Sequence, residues 1–148
     1  MKFTAIVFIA VLLAFSSVSA QVAQKDDVLA GGKEPLTRSM FNRVADFFEW
    51  TLEVKFSPAE RAEFQNRIVE NWKKEDAQEI QGVLYVIELS RELEKWDEGE
   101  RREAQFLIKD RFLEELERNE SNKINALLLG SYRQKHSAID SSSTAVKQ

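Results

Sequence analysis

Between residues 39 and 136 the apolar side chains recur three and four positions apart, the spacing that lines one face of an α-helix. A first helix is predicted over about 39–54, carrying Phe41, Val44, Phe47, Phe48 and Thr51, with Leu52 and Val54 closing it. A second, about 58–73, sets Phe64, Ile68, Val69 and Trp72 on a single stripe. The third, about 77–95, is apolar around much of its circumference: Ile80, Val83, Leu84, Tyr85, Val86, Ile87, Leu89 and Leu93. Such a helix is expected to be central, and Gly82 within it implies a neighbour close enough to exclude a side chain. A fourth, about 98–118, uses Ala104, Phe106, Leu107, Ile108, Phe112, Leu113 and Leu116; a shorter fifth, about 122–135, uses Ile124, Leu127, Leu128, Leu129 and Tyr132. No alternating run and no Asn-Gly or Asp-Gly turn calls for a strand. The expected fold is all-α, one domain of about five helices.

Three helix starts carry their own chemistry. Ser57-Pro58-Ala59-Glu60, Asp76-Ala77-Gln78-Glu79 and Asp97-Glu98-Gly99-Glu100 each place an acceptor before the first turn and a Glu three residues on. This is the capping box, in which the first side chain accepts from free N–H groups and the Glu reaches back. An echo at an offset of 40 joins two of these starts. Phe56-Ser57 through Ile68 lines up with Trp96-Asp97 through Ile108, with identity at Glu60/Glu100, Arg61/Arg101, Glu63/Glu103, Gln65/Gln105 and Ile68/Ile108. It reads either as a duplicated two-helix unit preceded by an N-terminal helix or as convergence of two capped, Glu/Arg-rich helices.

The ends of the chain follow a different pattern. Met1-Lys2 precedes an uncharged apolar run, Phe3 to Phe15, and then Ser16-Ser17-Val18-Ser19-Ala20. A single cation, a short apolar core and small residues at Val18 and Ala20 define a secretory signal peptide over residues 1–20, cut before Gln21. The apolar run would span only about 20 Å as a helix, short of the roughly 30 Å hydrocarbon core. No stable membrane span is therefore expected after cleavage. Residues 21–38, with Gly31, Gly32 and Pro35, read as a flexible N-terminal segment, and 137–148, with Ser141-Ser142-Ser143-Thr144, as a disordered tail. The helical domain is assigned to 39–136, and the destination is the periplasm or the extracellular space.

Composition narrows the function classes. Loss of Lys2, the only charge among the first 20 residues, takes the net charge from −4 to −5. An acidic surface of mixed sign argues against nucleic acid, which requires a basic face. The chain has no Cys, so neither disulfides nor thiolate zinc sites arise, and one His, His136, expected at the exposed end of the last helix. Gly31-Gly32 lacks the Lys-Ser/Thr of a phosphate loop. No cofactor, metal or catalytic residue is assigned. Among the acids, Glu88 and Glu49 sit in the most apolar sequence surroundings, and both are expected to be solvated or ion-paired. Glu60 with Arg61, and Arg101 and Arg102 near Glu103, read as a solvated face. Trp50, Trp72 and Trp96 lie near helix ends, where an indole can bury its ring and keep its N–H hydrogen-bonded. Asn119-Glu120-Ser121 is an N-glycosylation acceptor triplet, relevant only in a eukaryotic secretory pathway.

Phe56-Ser57-Pro58-Ala59-Glu60-Arg61 and Trp96-Asp97-Glu98-Gly99-Glu100-Arg101 resemble the twice-repeated L-T-x-x-Q motif at helix starts of small exported bacterial stress chaperones. Here aromatics replace Leu, Ser or Asp replaces Thr, and Glu replaces Gln. The resemblance covers about a dozen residues and implies client binding by a small, helical, Cys-free exported protein. The expected function is thus binding or chaperone-like, toward a protein partner or client, without catalysis. The alternative is a small carboxylate-dependent hydrolase of an extracellular or cell-wall polymer.

Overall fold

The computed structural model describes residues 26–146, and side chains as far as Ser137. The signal peptide and its cleavage site lie outside the described residues. The fold is all-α, with five helices and one small antiparallel ladder among the described residues. In chain order these are β1 (Val28–Ala30), β2 (Leu36–Thr37), α1 (Arg38–Leu52), α2 (Pro58–Lys73), α3 (Ala77–Glu94), α4 (Glu98–Arg118) and α5 (Lys123–Val146).

Helix starts fall where the capping chemistry puts them. The Ser57 hydroxyl accepts from Glu60 N–H at 3.1 Å, and Glu60 Oε1 accepts from Ser57 N–H at 3.4 Å, closing the reciprocal box at α2. Asp76 Oδ1 accepts from the N–H groups of Gln78 and Glu79, both at 3.2 Å. Asn122, which the capping-box pattern does not mark, accepts from Ile124 and Asn125 N–H and starts α5. Helix ends were harder to place. At Glu53 and Glu75 φ is 54°, so a glutamate occupies the left-handed stop position that glycine ordinarily takes. The N–H of the following residue, Val54 or Asp76, returns to the carbonyl of Glu49 or Asn71.

The described residues group into two compact units. The first takes in the residues up to Val44 together with Val69–Asp97. Within the stretch 21–38, expected as a flexible segment, residues 21–25 lie outside the described residues, while Val28 pairs with Thr37 and Ala30 with Leu36 across a loop of five residues. Gly31 and Gly32 belong to that loop, and Gly32, at φ 125°, makes a turn closed to other residues. The ladder is held because Leu36 and Thr37 are buried, as is Ala30. Trp72 Nε1 donates to the Glu34 carbonyl at 2.6 Å, tying the loop to α2. Thr37 Oγ1 and the Asp26 carboxylate cap the first N–H groups of α1. Phe41, Val44, Trp72, Val83, Val86, Ile87, Leu89 and Leu93 fill this unit's core.

The second unit comprises Ala45–Ile68 and the described residues from Glu98 onward. Its core is aromatic. Phe48 stands edge-on to Phe64 at 5.9 Å between centroids and 5.6 Å from Phe112, and Phe56 lies 5.8 Å from Phe64. Helices α4 and α5 pack on each other across the turn at 119–122, where Asn125 Nδ2 donates to the Asn119 carbonyl at 3.1 Å. A connection this short makes the two helices antiparallel.

Two expectations need correction. Helix α5 continues to Val146 instead of ending near 135, since no Gly or Pro follows Tyr132 to stop it. Among the described residues Gly82 has no close neighbour: a Cβ there would meet nothing within 4 Å, and the same holds for Gly130 in α5. Neither glycine is required by packing. Gly82→Ala and Gly130→Ala are each expected to raise stability by about 0.5–1 kcal/mol in urea unfolding, through the lower helix propensity of glycine. A loss of stability on either change would show a neighbour at that position.

Candidate functional site

The chemically capable side chains gather around the C-terminal end of α1. Glu49, with a side chain only 10% exposed, is the most enclosed carboxylate of the charge pairs. Its Oε2 accepts from Phe56 N–H at 2.8 Å and its Oε1 from Arg61 Nη1 at 3.0 Å. Arg61 Nη2 reaches Asp46 Oδ1 at 3.1 Å, and Lys55 Nζ lies 4.0 Å from Glu49. The first turn of α2 is thus clamped to the last turns of α1. The last carbonyls of α1 are met from farther along the chain: Gln105 Nε2 donates to Trp50 O at 2.6 Å, and His136 Nε2 lies 3.4 Å from Leu52 O. A helix terminus leaves such carbonyls without intrahelical partners, so these contacts are structural necessities.

His136 is accordingly not the exposed terminal residue the sequence suggests. It is half-buried within α5, its ring centre 4.1 Å from that of Tyr132 one helical turn earlier and tilted 39° to it. Glu60 and Arg61, adjacent in sequence, part company. Arg61 joins Glu49 and Asp46, while Glu60 bonds Ser57 and accepts a short hydrogen bond from the Ser131 hydroxyl of α5. Arg101, expected on a solvated face, is half-buried with its Nε lacking a partner among the described residues. Fully buried Thr51, in the same unit, has a hydroxyl without a partner among the described residues. Arg102 does stay exposed, bonded to Glu98 at 2.7 Å.

Glu88, in the other unit, pairs with Arg91 at 3.1 Å and is 26% exposed, as a polar strip on α3 requires. Arg43 in the same unit bridges Ser90 and Glu94 at 3.1 and 2.7 Å. Trp72 is a core residue, whereas Trp50 and Trp96 are half-buried. Among the described residues no group of three or more His, Asp or Glu is placed to hold a metal ion, and no helix is long and apolar enough to cross a membrane.

The Ser131 hydrogen bond holds Glu60 below its ordinary carboxylate value, outweighing the opposing effect of partial burial, with Ser57 adding to the depression. A group whose folded pKa is depressed contributes stability present above its unfolded value and lost as pH falls through the folded one. The chain is therefore expected to lose this contribution on acidification below about pH 4.5. Ser131→Ala should flatten that part of the acid limb in a melting-temperature series while leaving the neutral-to-alkaline slope unchanged.

Comparison with protein-family models, with curated proteins and with solved structures gives no match. The geometry alone carries the functional argument.

Proposed function

We propose that this chain is an exported helical binding protein, chaperone-like in mode, that engages a protein partner in the periplasm or outside the cell and performs no chemistry of its own. One observation carries the reading. Glu49, Glu60, Glu88 and His136, the side chains best suited to acid–base work, each face a partner within the chain. A carboxylate hydrolase needs two acids converging on one cleft, one of them desolvated and turned toward substrate. Both oxygens of Glu49 are instead taken up by the fold, and Glu88 is spent on Arg91. What remains for an exported domain is its helical surface.

The test is suppression of client aggregation, using the chain purified in the form that cells accumulate from its complete coding sequence. Insulin reduced with dithiothreitol is a suitable client, because a Cys-free chain is untouched by the reductant. Light scattering from the insulin B chain is expected to fall as the protein approaches equimolar amounts. Unchanged scattering at a several-fold molar excess would remove the chaperone-like reading.

A further inference from the structure

The exposed face of α4 carries an arrangement that the binding reading does not use. Phe106 is 62% exposed, the largest exposure among the big hydrophobic side chains described. At about 100° per residue, Arg102 and Lys109 fall about 40° and 60° to one side of Phe106, and Glu103 and Asp110 about 60° and 40° to the other. The aromatic ring thus lies between a basic flank and an acidic flank. Gly99 and Leu113, seven residues to either side, continue the central line. Lys109 Nζ, 3.2 Å from Glu53 and 5.7 Å from the Phe106 ring centre, fixes the inner edge of the basic flank. Arg102, which carries Glu98 of the preceding turn at 2.7 Å, Glu103 and Asp110 are exposed.

We infer that α4 is a self-association surface whose occupant is α4 of a second copy, aligned parallel. The charge pattern decides both partner and direction. In a parallel two-fold pair the basic flank of one helix meets the acidic flank of the other, so Arg102 faces Glu103, while Lys109, its ammonium held by Glu53, borders Asp110. In an antiparallel pair each flank would meet its own kind, and every such contact would be repulsive. A surface that complements itself in one orientation and repels itself in the other specifies a dimer by both attraction and exclusion. Phe106 stacks on its counterpart at the centre, where an aromatic excludes water from the flanking ion pairs. One helix face is a small interface, so the dimer is weak and concentration-dependent.

The test is sedimentation equilibrium on the same full-coding-sequence protein across micromolar to submillimolar concentrations, with circular dichroism confirming that each variant folds. The native chain is expected to dimerise and Phe106→Asp to be monomeric over the same range. Arg102→Glu and Glu103→Lys should each weaken self-association about tenfold, since each turns two attractive contacts into repulsive ones. An equimolar mixture of the two should recover association to within about threefold of the native chain, because both contacts become attractive again. Leu113→Cys, a lone thiol in this Cys-free protein, should oxidise readily to a disulfide-linked homodimer, which only the parallel arrangement brings together. A native chain that stays monomeric throughout overturns the inference. So does a dimer that survives Phe106→Asp, or a charge-reversed pair that fails to recover association. None of these outcomes bears on aggregation suppression below the dimerisation range, so the two proposals fail separately.

Discussion

Glu49→Ala is expected to lower the free energy of unfolding by about 2–4 kcal/mol, while Glu88→Ala changes it by no more than about 0.5 kcal/mol. Both residues are glutamates flanked by apolar neighbours in sequence, and both pair with an arginine about 3 Å away. Burial and the second acceptor role set them apart. Glu49 is 10% exposed and also accepts from the N–H of Phe56, whose side chain is buried; Glu88 is 26% exposed and bonds only one turn along its own helix. Removing Glu49 strands a backbone donor in a dry position and leaves the Arg61 guanidinium without its most enclosed partner. Glu49→Gln keeps an acceptor for Phe56 N–H and loses the charge, so about half of the cost should return. Urea titrations read this as a shift in midpoint at constant slope. An equal cost for Glu49→Ala and Glu88→Ala would mean that the α1–α2 clamp is not a stability element.

That pair also shows where sequence reading succeeds and where it stops. The five helices were legible because each buries a stripe at helical spacing, and Ser57 and Asp76 supply acceptors where free N–H groups need them. Helix ends were less legible, because α1 and α2 stop on Glu53 and Glu75 in left-handed geometry and nothing in a glutamate announces that conformation. The ladder leaves no mark in the sequence for a related reason. Val28–Ala30 and Leu36–Thr37 are too short to show alternation, and the burial of Leu36 and Thr37 depends on the rest of their unit.

The chemistry around α1 was legible only as a set of residue types. Glu49 and Glu88 share apolar sequence neighbours, yet nothing local distinguishes a carboxylate that staples two helices from one that lies along a surface. Gln105 on Trp50 O and Ser131 on Glu60 span 55 and 71 residues, separations no pattern along the chain encodes. The place of His136 depends on a helix boundary the sequence does not mark: because α5 continues, its ring falls against Tyr132 and the end of α1. The sequence does carry the charge pattern of α4, but it acquires meaning only when Phe106 is known to face outward while Ala104 and Ile108 face in.

Phe64→Ala is expected to cost about 3–5 kcal/mol, more than the loss of Glu49. Phe64 is fully buried, with its ring centre 5.9 Å from that of Phe48 and 5.8 Å from that of Phe56, so truncation opens a cavity between α1, α2 and the connection that joins them. Each aromatic pair contributes about 0.5–1.5 kcal/mol beyond area alone, and both vanish together. The surroundings cannot collapse freely, because Phe56 is held from its backbone by Glu49 and Phe48 is wedged against Phe112. A residual cavity, and with it the upper part of the range, follows from that rigidity. Phe64→Leu, which leaves most of the volume filled, should cost about 1–2 kcal/mol. Phe106→Ala, at protein concentrations low enough to keep the chain monomeric, should stay within about 0.5 kcal/mol of the native protein. Ordering these three phenylalanine variants by chemical denaturation distinguishes the two kinds of aromatic in this chain. A Phe64→Ala cost no larger than that of Phe106→Ala would mean that the aromatic cluster does not form the core of its unit.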